Sequence, residues 1–394
     1  MKKMKNNFTI QAIELLKELI SAPSFSGEED KTAELIRLSL EKNKIITKRK
    51  YHNIYAFSSG FTPGKPTLVL NSHHDTVRPT QGWNSDPFQP VIKGNKLVGL
   101  GSNDAGASLV SLLAVFCYFY NRENLSHNLI LALTAEEENS GERGIRALLP
   151  ELGKIDLAIV GEPTGMKMAI AEKGLIVLRC QSIGQSGHAA RETGKNAIYQ
   201  ALDDINWIRN YKFAQDSPVL GPVKMTVTMI KAGTQHNVIP DRCEFTIDIR
   251  STDVCHNEMI IEIIKQNLKS EFSDPSLDLK PSFIPLDHPL VNSARKLGIE
   301  TIGSPTLSDQ TYISAPSVKM GPGQSERSHT ADEFVYLSEI EEGIEQYINL
   351  LENFLSNGSN PSKEKVREFL ELKSVKSGKE RISSSDSLSN RKPV

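Results

Sequence analysis

Residues 129–144 read LILALTAEEENSGERG, an apolar block that runs straight into three adjacent carboxylates, Glu136, Glu137 and Glu138. The block reads as a strand buried on both faces, and so do residues 67–71 (TLVLN) and 155–160. Helical patterns interleave with these strands. Apolar residues recur at helical spacing over 8–20, Ser26-x-x-Glu29 has the spacing of a capping box opening a helix to about residue 40, and 107–120 is an apolar helix. Strands apolar on both sides and alternating with helices predict an α/β fold with a mainly parallel sheet. Three like charges in a row are ordinarily a hydrated helix start. At the exit of a buried strand they also stand where an open α/β sheet builds its site.

Further along, the rhythm changes. Strand patterns at 175–183, 223–230, 242–249 and 277–284, with helices at 196–211 and 256–268, follow the order β-α-β-β-α-β of a ferredoxin-like unit. The organisation predicted is a first part at 1–173, an inserted unit at 174–284 and a return at 285–355 that ends in a helix over 338–354. From residue 356 to 394 the composition turns to Ser, Lys, Asn and Gly, which predicts a mostly disordered tail.

The 394 residues are 38% hydrophobic and 24% charged, with a formal net charge of −2. This is the composition of a globular chain of two-domain length, and it gives no electrostatic reason to expect a nucleic-acid partner. MKKMKNNFTI carries lysines with no apolar region behind them, so neither a secretory leader nor a membrane partner is expected, and the reading is cytoplasmic. Cys117, Cys180, Cys243 and Cys255 are scattered and read as reduced thiols.

Five groups of candidate ligands fall at strand ends or in loops. They are His73 and Asp75 in LNSHHDTV, Asp104 in GLGSNDAGAS, the glutamates of TAEEEN, Glu162 in IVGEPTG, and His329 in GPGQSERSHTADEF with Asp332 and Glu333 behind it. The glycines around Asp104 fit neither phosphate-loop spacing, which argues against a nucleotide. Singly, each group is what a capped turn also contains. Together, two imidazoles and several carboxylates form an N/O donor set of the kind zinc, cobalt or manganese accepts.

In this order, H-x-D-T-V, G-x-G-x-x-D, E-E after a strand, G-E-P-T and a late G-P-G followed by a histidine resemble the zinc-dependent acylamino-acid hydrolases. These include acetylornithine deacetylase, succinyl-diaminopimelate desuccinylase and glutamate-type carboxypeptidases. The resemblance spans residues 13–354 and implies two Zn²⁺ ions, with Co²⁺ or Mn²⁺ as substitutes. By position, His73 and Glu162 would bind one metal and Glu138 and His329 the other, with Asp104 bridging. Asp75 would support His73, Glu137 would be the general acid/base, and a cis peptide is implied at Asp104-Ala105. The inserted unit would be a dimerisation and lid domain. From it His188 would reach across a homodimer to the oxyanion, while Asn237 and Arg250 would position the substrate.

Two departures stand out. Asp104-Ala105-Gly106-Ala107 lacks the lysine of the usual D-x-K-G, and Glu136 replaces the usual aspartate of D-E-E. GLGSNDAGAS resembles an acetylornithine-deacetylase-like subgroup of arginine biosynthesis, some members of which take N-acyl-citrulline. The implied substrates are therefore N-acetyl-L-ornithine and N-acetyl- or N-succinyl-L-citrulline. A dipeptidase or carboxypeptidase on the same metal core, and a catalytically idle binding protein, are the alternatives. The loops at 304–310 and 323–328, with Gln324, Ser325, Arg327 and Ser328, are candidates for the acyl pocket.

Overall fold

The structure, a computed structural model, describes residues 2–191 and 193–356; the tail at 357–394 lies outside them. At its centre four parallel strands lie side by side in the order Asn128–Thr134, Thr67–His73, Leu157–Gly161 and Ser317–Met320. Asn53–Phe57 and Lys48–Lys50 extend one side antiparallel, and Met168–Glu172 the other. Every residue of Thr67–His73, Asn128–Thr134 and Leu157–Gly161 is buried.

Burial on both faces follows from alternation along these strands. Leu68, Leu70, Leu129, Leu131, Leu157 and Ile159 pack into one core with the helices Lys2–Ile20, Asp30–Lys42, Ala107–Phe119 and Leu337–Ser356. Val69, Ile130, Ala132, Ala158 and Val160 pack on the other face with Leu148 and Leu152 of the helix Ile145–Leu152 and with Ile313 and Ala315. Helices therefore cover both faces, as a parallel sheet requires. The segment Ser102–Phe119 is long and apolar enough to cross a membrane, but 89% of it is buried within the molecule. Gly321 lets it approach the strand ends, since a Cβ there would stand 2.1 Å from Ser108 Oγ and 2.6 Å from Glu162 O.

A second sheet has the order Lys224–Ala232, Arg242–Arg250, Ile176–Ile183 and Glu271–Phe272, all antiparallel. With Ala197–Asn210 and Asn257–Asn267 it makes the ferredoxin-like unit around its own apolar core. Asn196 caps the first of these helices, its side chain accepting from Ile198 N at 2.9 Å. One strand differs from expectation. The fourth strand is Glu271–Phe272, not 277–284, and Ser282–Phe283 pairs instead with Met168–Glu172 of the central sheet. Pro281 cannot donate to a ladder, and Leu279 O is already taken by Leu175 N.

The capping box expected at Ser26-x-x-Glu29 is also absent. Ser26 Oγ donates to Asp75, the Glu29 carboxylate accepts from Gly27 N and Glu136 N, and the helix begins at Asp30.

Candidate active site

All four parallel strands end at the same edge of the sheet. His73 pairs with Thr134 and Met320 with Gly161, so the residues that follow converge. This is where an open parallel sheet leaves room for chemistry. His73 is itself the last residue of its strand and is 1% exposed.

The glutamate run reaches this edge by a sharp turn. Glu136 has φ +55, a left-handed conformation that takes the chain out of extended geometry, so Glu137 and Glu138 need not point to opposite faces. Asp75 fixes the turn: Oδ1 accepts from Glu137 N and Oδ2 from Glu138 N, both at 3.0 Å, and Ser26 Oγ donates to Oδ2 at 2.8 Å. Glu136 turns away, accepting from Arg143 N at 3.0 Å.

Asp104 sits in an irregular turn, Ser102–Gly106, whose Asp104–Ala105 peptide is cis. Gly101 enters it at φ +74. The buried Glu333 carboxylate holds the turn, accepting from Gly101 N, Asn103 N and Asp104 N at 3.0, 2.8 and 2.9 Å. Arg327 anchors the loop that carries His329. It pairs with Glu339 at 2.7 Å and lies over the rings of Phe334 and Tyr336, so it is engaged there and not presented to an acyl group.

The resulting geometry centres on Asp104. Its Oδ1 is 3.4 Å from His73 Nε2 and its Oδ2 is 3.6 Å from His329 Nε2. His73 Nε2 also faces Glu162 at 3.6 Å and Glu137 at 3.9 Å, while His329 Nε2 faces Glu138 at 3.0 Å. Two groups suited to a cation result, His73-Asp104-Glu138 and His73-Glu137-Glu162.

His73 Nδ1 donates to Asp75 O at 3.0 Å, a carbonyl that can only accept, which leaves Nε2 as the ring nitrogen that faces Asp104 and could ligate a cation. His329 is 53% exposed and marks the open side.

Charge in this cluster is poorly compensated by protein. Burial pushes Glu162 up to about 8, with Asp104 adding to the rise and His73 opposing it. Burial also raises Glu137 well above the ordinary carboxylate range. The hydrogen bond to Glu138 lifts His329 to about 9. Burial likewise lifts Glu333 to about 8, with Asp104 adding and its three N–H donors opposing. Glu162 Oε1 is buried without a hydrogen-bond partner. Like-charged oxygens, an orphaned lone pair and an imidazole oriented with Nε2 toward the carboxylates fit divalent cations, whose charge would reverse these shifts.

The other expected site residues are placed differently. His188, on the short strand Gly187–His188, and Asn237, beside its partner Val238–Ile239, are both exposed. Arg250 is bidentate on Asp248 at 2.8 and 3.0 Å. Among the described residues none of the three makes a hydrogen bond or ion pair with the acid–imidazole cluster. In the 304–310 loop, Ser308, Asp309 and Gln310 are turned inward and buried, bonding Glu172, Thr134 and the Ser282–Ser317 pair, and so do not line an acyl pocket. Glu333 and Asp309 are buried carboxylates near the cluster to which sequence reasoning assigned no role. Glu333 was visible only as a neighbour of His329.

Known proteins resemble this chain over most of its length. An acetylornithine deacetylase from Proteus mirabilis is 29% identical over 379 residues, covering 87% of this chain and 96% of its own. A succinyl-diaminopimelate desuccinylase from Orientia tsutsugamushi is 27% identical, covering 88% and 97%. Among solved structures, aminopeptidase PepT from Bacillus cereus superposes with a TM-score of 0.71 at 18% identity, over 88% of this chain and 98% of its own. The Bacillus subtilis YXEP protein, described as a dinuclear metal binding peptidase, gives 0.65 at 17%, over 89% and 99%. Residues 69–353, from within the strand Thr67–His73 to the helix Leu337–Ser356, match the pattern of peptidase family M20/M25/M40, and the chain is a hydrolase belonging to that family.

Proposed function

We propose that the protein is a dinuclear amidohydrolase that removes an acetyl or succinyl group from the nitrogen of an amino acid. The observation that carries this is the Asp104 carboxylate, with one oxygen toward His73 and the other toward His329. His73 and Glu162 would hold one ion, Glu138 and His329 the other, and Asp104 both. Zinc is the metal proposed, since two imidazoles and three carboxylates suit it. Ions held there would supply Lewis-acid polarisation of the scissile carbonyl and a lowered pKa for water.

Glu137 remains for proton transfer although it lies 3.9 Å from His73, because Asp104 already completes three protein ligands for each ion. It takes a proton from the attacking water and returns it to the leaving nitrogen. Asp75 keeps His73 Nδ1 protonated and holds the Glu137–Glu138 turn.

The substrate class rests on the two relatives and on the subgroup resemblance. It comprises N-acetyl-L-ornithine, N-acetyl- and N-succinyl-L-citrulline and, from the second relative's name, N-succinyl-diaminopimelate. A role in arginine biosynthesis in the cytoplasm is proposed with it. The inserted unit at 174–284 is proposed as a lid and dimerisation domain. Tyr199, Met229 and Ile230, which are 69%, 67% and 56% exposed, support a homodimer. Arg250 would exchange Asp248 for a substrate carboxylate, and His188, supplied across the dimer with Asn237 beside it, would steady the oxyanion.

The test is a panel of these substrates with dipeptides, in the presence of zinc, cobalt or manganese. Glu137→Gln should keep both metals and lose roughly 10²–10⁴-fold in kcat. Near-normal turnover of that variant refutes the role of Glu137, and a preference for dipeptides refutes the substrate class.

A further inference from the structure

Asp309 belongs to neither ligand group, yet it is a carboxylate only 3% exposed beside the ends of two central strands. Its Oδ2 accepts from Thr134 Oγ1 at 2.7 Å, and Thr134 Oγ1 accepts from Asn71 Nδ2 at 3.0 Å. Asn71 also donates to Ala132 O at 3.0 Å. Asn71 stands just before His73 on one strand, and Thr134 just before the Glu137–Glu138 turn on the next. The chain of bonds therefore ties together the two strand ends that supply four of the proposed functional residues.

The short helical turn Asp309–Tyr312 does not need this charge to stay in place. Ser308 Oγ donates to Glu172 at 2.8 Å, and Glu172 is itself paired with the buried Lys319 at 3.2 Å. Gln310 Nε2 reaches Ser282 and Ser317, each at 3.0 Å, and Thr311 Oγ1 reaches Lys280 O at 2.9 Å. Neighbours on both sides thus pin the turn independently of Asp309. A buried carboxylate costs stability unless it is strongly partnered, so its presence on an already anchored turn calls for a functional reason. Asp309 is also within electrostatic reach of His73 and Glu137.

We infer that Asp309 is a positioning residue for hydrolysis, acting through Thr134: the Asp309–Thr134–Asn71 chain fixes the spacing between His73 and the Glu137–Glu138 turn. The inference rests on the proposed function. A charged acceptor holds the Thr134 hydroxyl more firmly than an amide does, so the isosteric Asp309→Asn should loosen the alignment without emptying the space. Thr134→Val interrupts the same chain from the other side.

Both variants and their double are compared with wild type as metal-loaded, full-length protein. Each single variant is expected to lose about tenfold or more in kcat, with KM within about threefold and with the metal content and Tm of wild type. The double variant should lose no more than the worse single one, since the three share one chain of bonds. A smaller loss in Asp309→Asn, a loss that tracks missing metal or a lowered Tm, or additive losses in the double variant would overturn the inference. If wild type hydrolyses no member of the substrate panel, the proposed function fails and the inference falls with it. If wild type turns over and Asp309→Asn keeps pace, the inference alone fails.

Discussion

Three backbone N–H groups around Asp104 end on one side chain, Glu333, which is 2% exposed. Glu333→Ala leaves these donors buried without partners, and each costs free energy because water cannot replace the lost oxygen. The expected destabilisation is roughly 2–5 kcal/mol in urea unfolding, with weaker metal binding in titration. Glu333→Gln keeps the shape and one acceptor oxygen and should lose less. An alanine variant with the wild-type urea midpoint would show that the turn supports itself. The candidate ligands are legible because each follows a recognisable strand or loop signal. Glu333 is legible only as a neighbour of His329 and Asp309 only as part of a loop, since nothing in TADEF or TLSDQ tells a buried acceptor from a hydrated acid. That difference arises only when distant backbone closes over the carboxylate.

At the level of elements, the helix Leu337–Ser356 meets two imidazoles, His127 buried and His288 half-buried. His127 and His288 lie with ring centroids 4.9 and 6.4 Å from that of Phe354. His288 also caps the helix Pro289–Lys296, its Nδ1 accepting from Leu290 N at 3.2 Å, a bond that protonation at Nδ1 would abolish. Burial pushes both histidines down to about 4 from an ordinary 6.5, and His127 further lowers His288. A histidine whose pKa is depressed on folding stabilises the fold above its unfolded value, and that contribution is lost as pH falls toward the folded value. Stability should therefore drop as pH falls from 6.5 toward about 4, by up to about 3 kcal/mol for buried His127 and less for half-buried His288. Replacing both by Asn should flatten that part of a urea-midpoint-versus-pH curve. An unchanged slope would assign the acid sensitivity elsewhere.

Element type was legible where the pattern was long and uniform, as in 67–71 and 128–134. Ser317–Met320 escaped notice because four residues including a lysine carry no strand signal. Lys319 is tolerated there because Glu172 is buried beside it and Thr306 accepts from its ammonium. The last strand of the second sheet was misplaced because apolar alternation over 277–284 continues through the crossing back to the central sheet, where Pro281 marks the break.

For the molecule as a whole, the acid–imidazole cluster predicts that metal contributes to global stability. Asp104, Glu137, Glu138 and Glu162 face one another with only two histidines among them, so removing cations leaves their repulsion uncompensated. Exhaustive chelation should lower Tm by about 5 °C or more, and Tm should climb again with the logarithm of added zinc, cobalt or manganese. A Tm indifferent to chelation and to added metal would argue against ligation at this edge. The strands that converge on the site also impose an order of assembly. Three of them are complete by Gly161, whereas Ser317–Met320 and the loop bearing His329 follow only after the whole ferredoxin-like unit has been made. On the ribosome, the growing chain can therefore display His73, Asp104, Glu138 and Glu162 long before the loop bearing His329 can join them. Secure capture of the proposed ions would then be one of the last events of biogenesis, and a chain cut short before His329 emerges would lack the full proposed donor set.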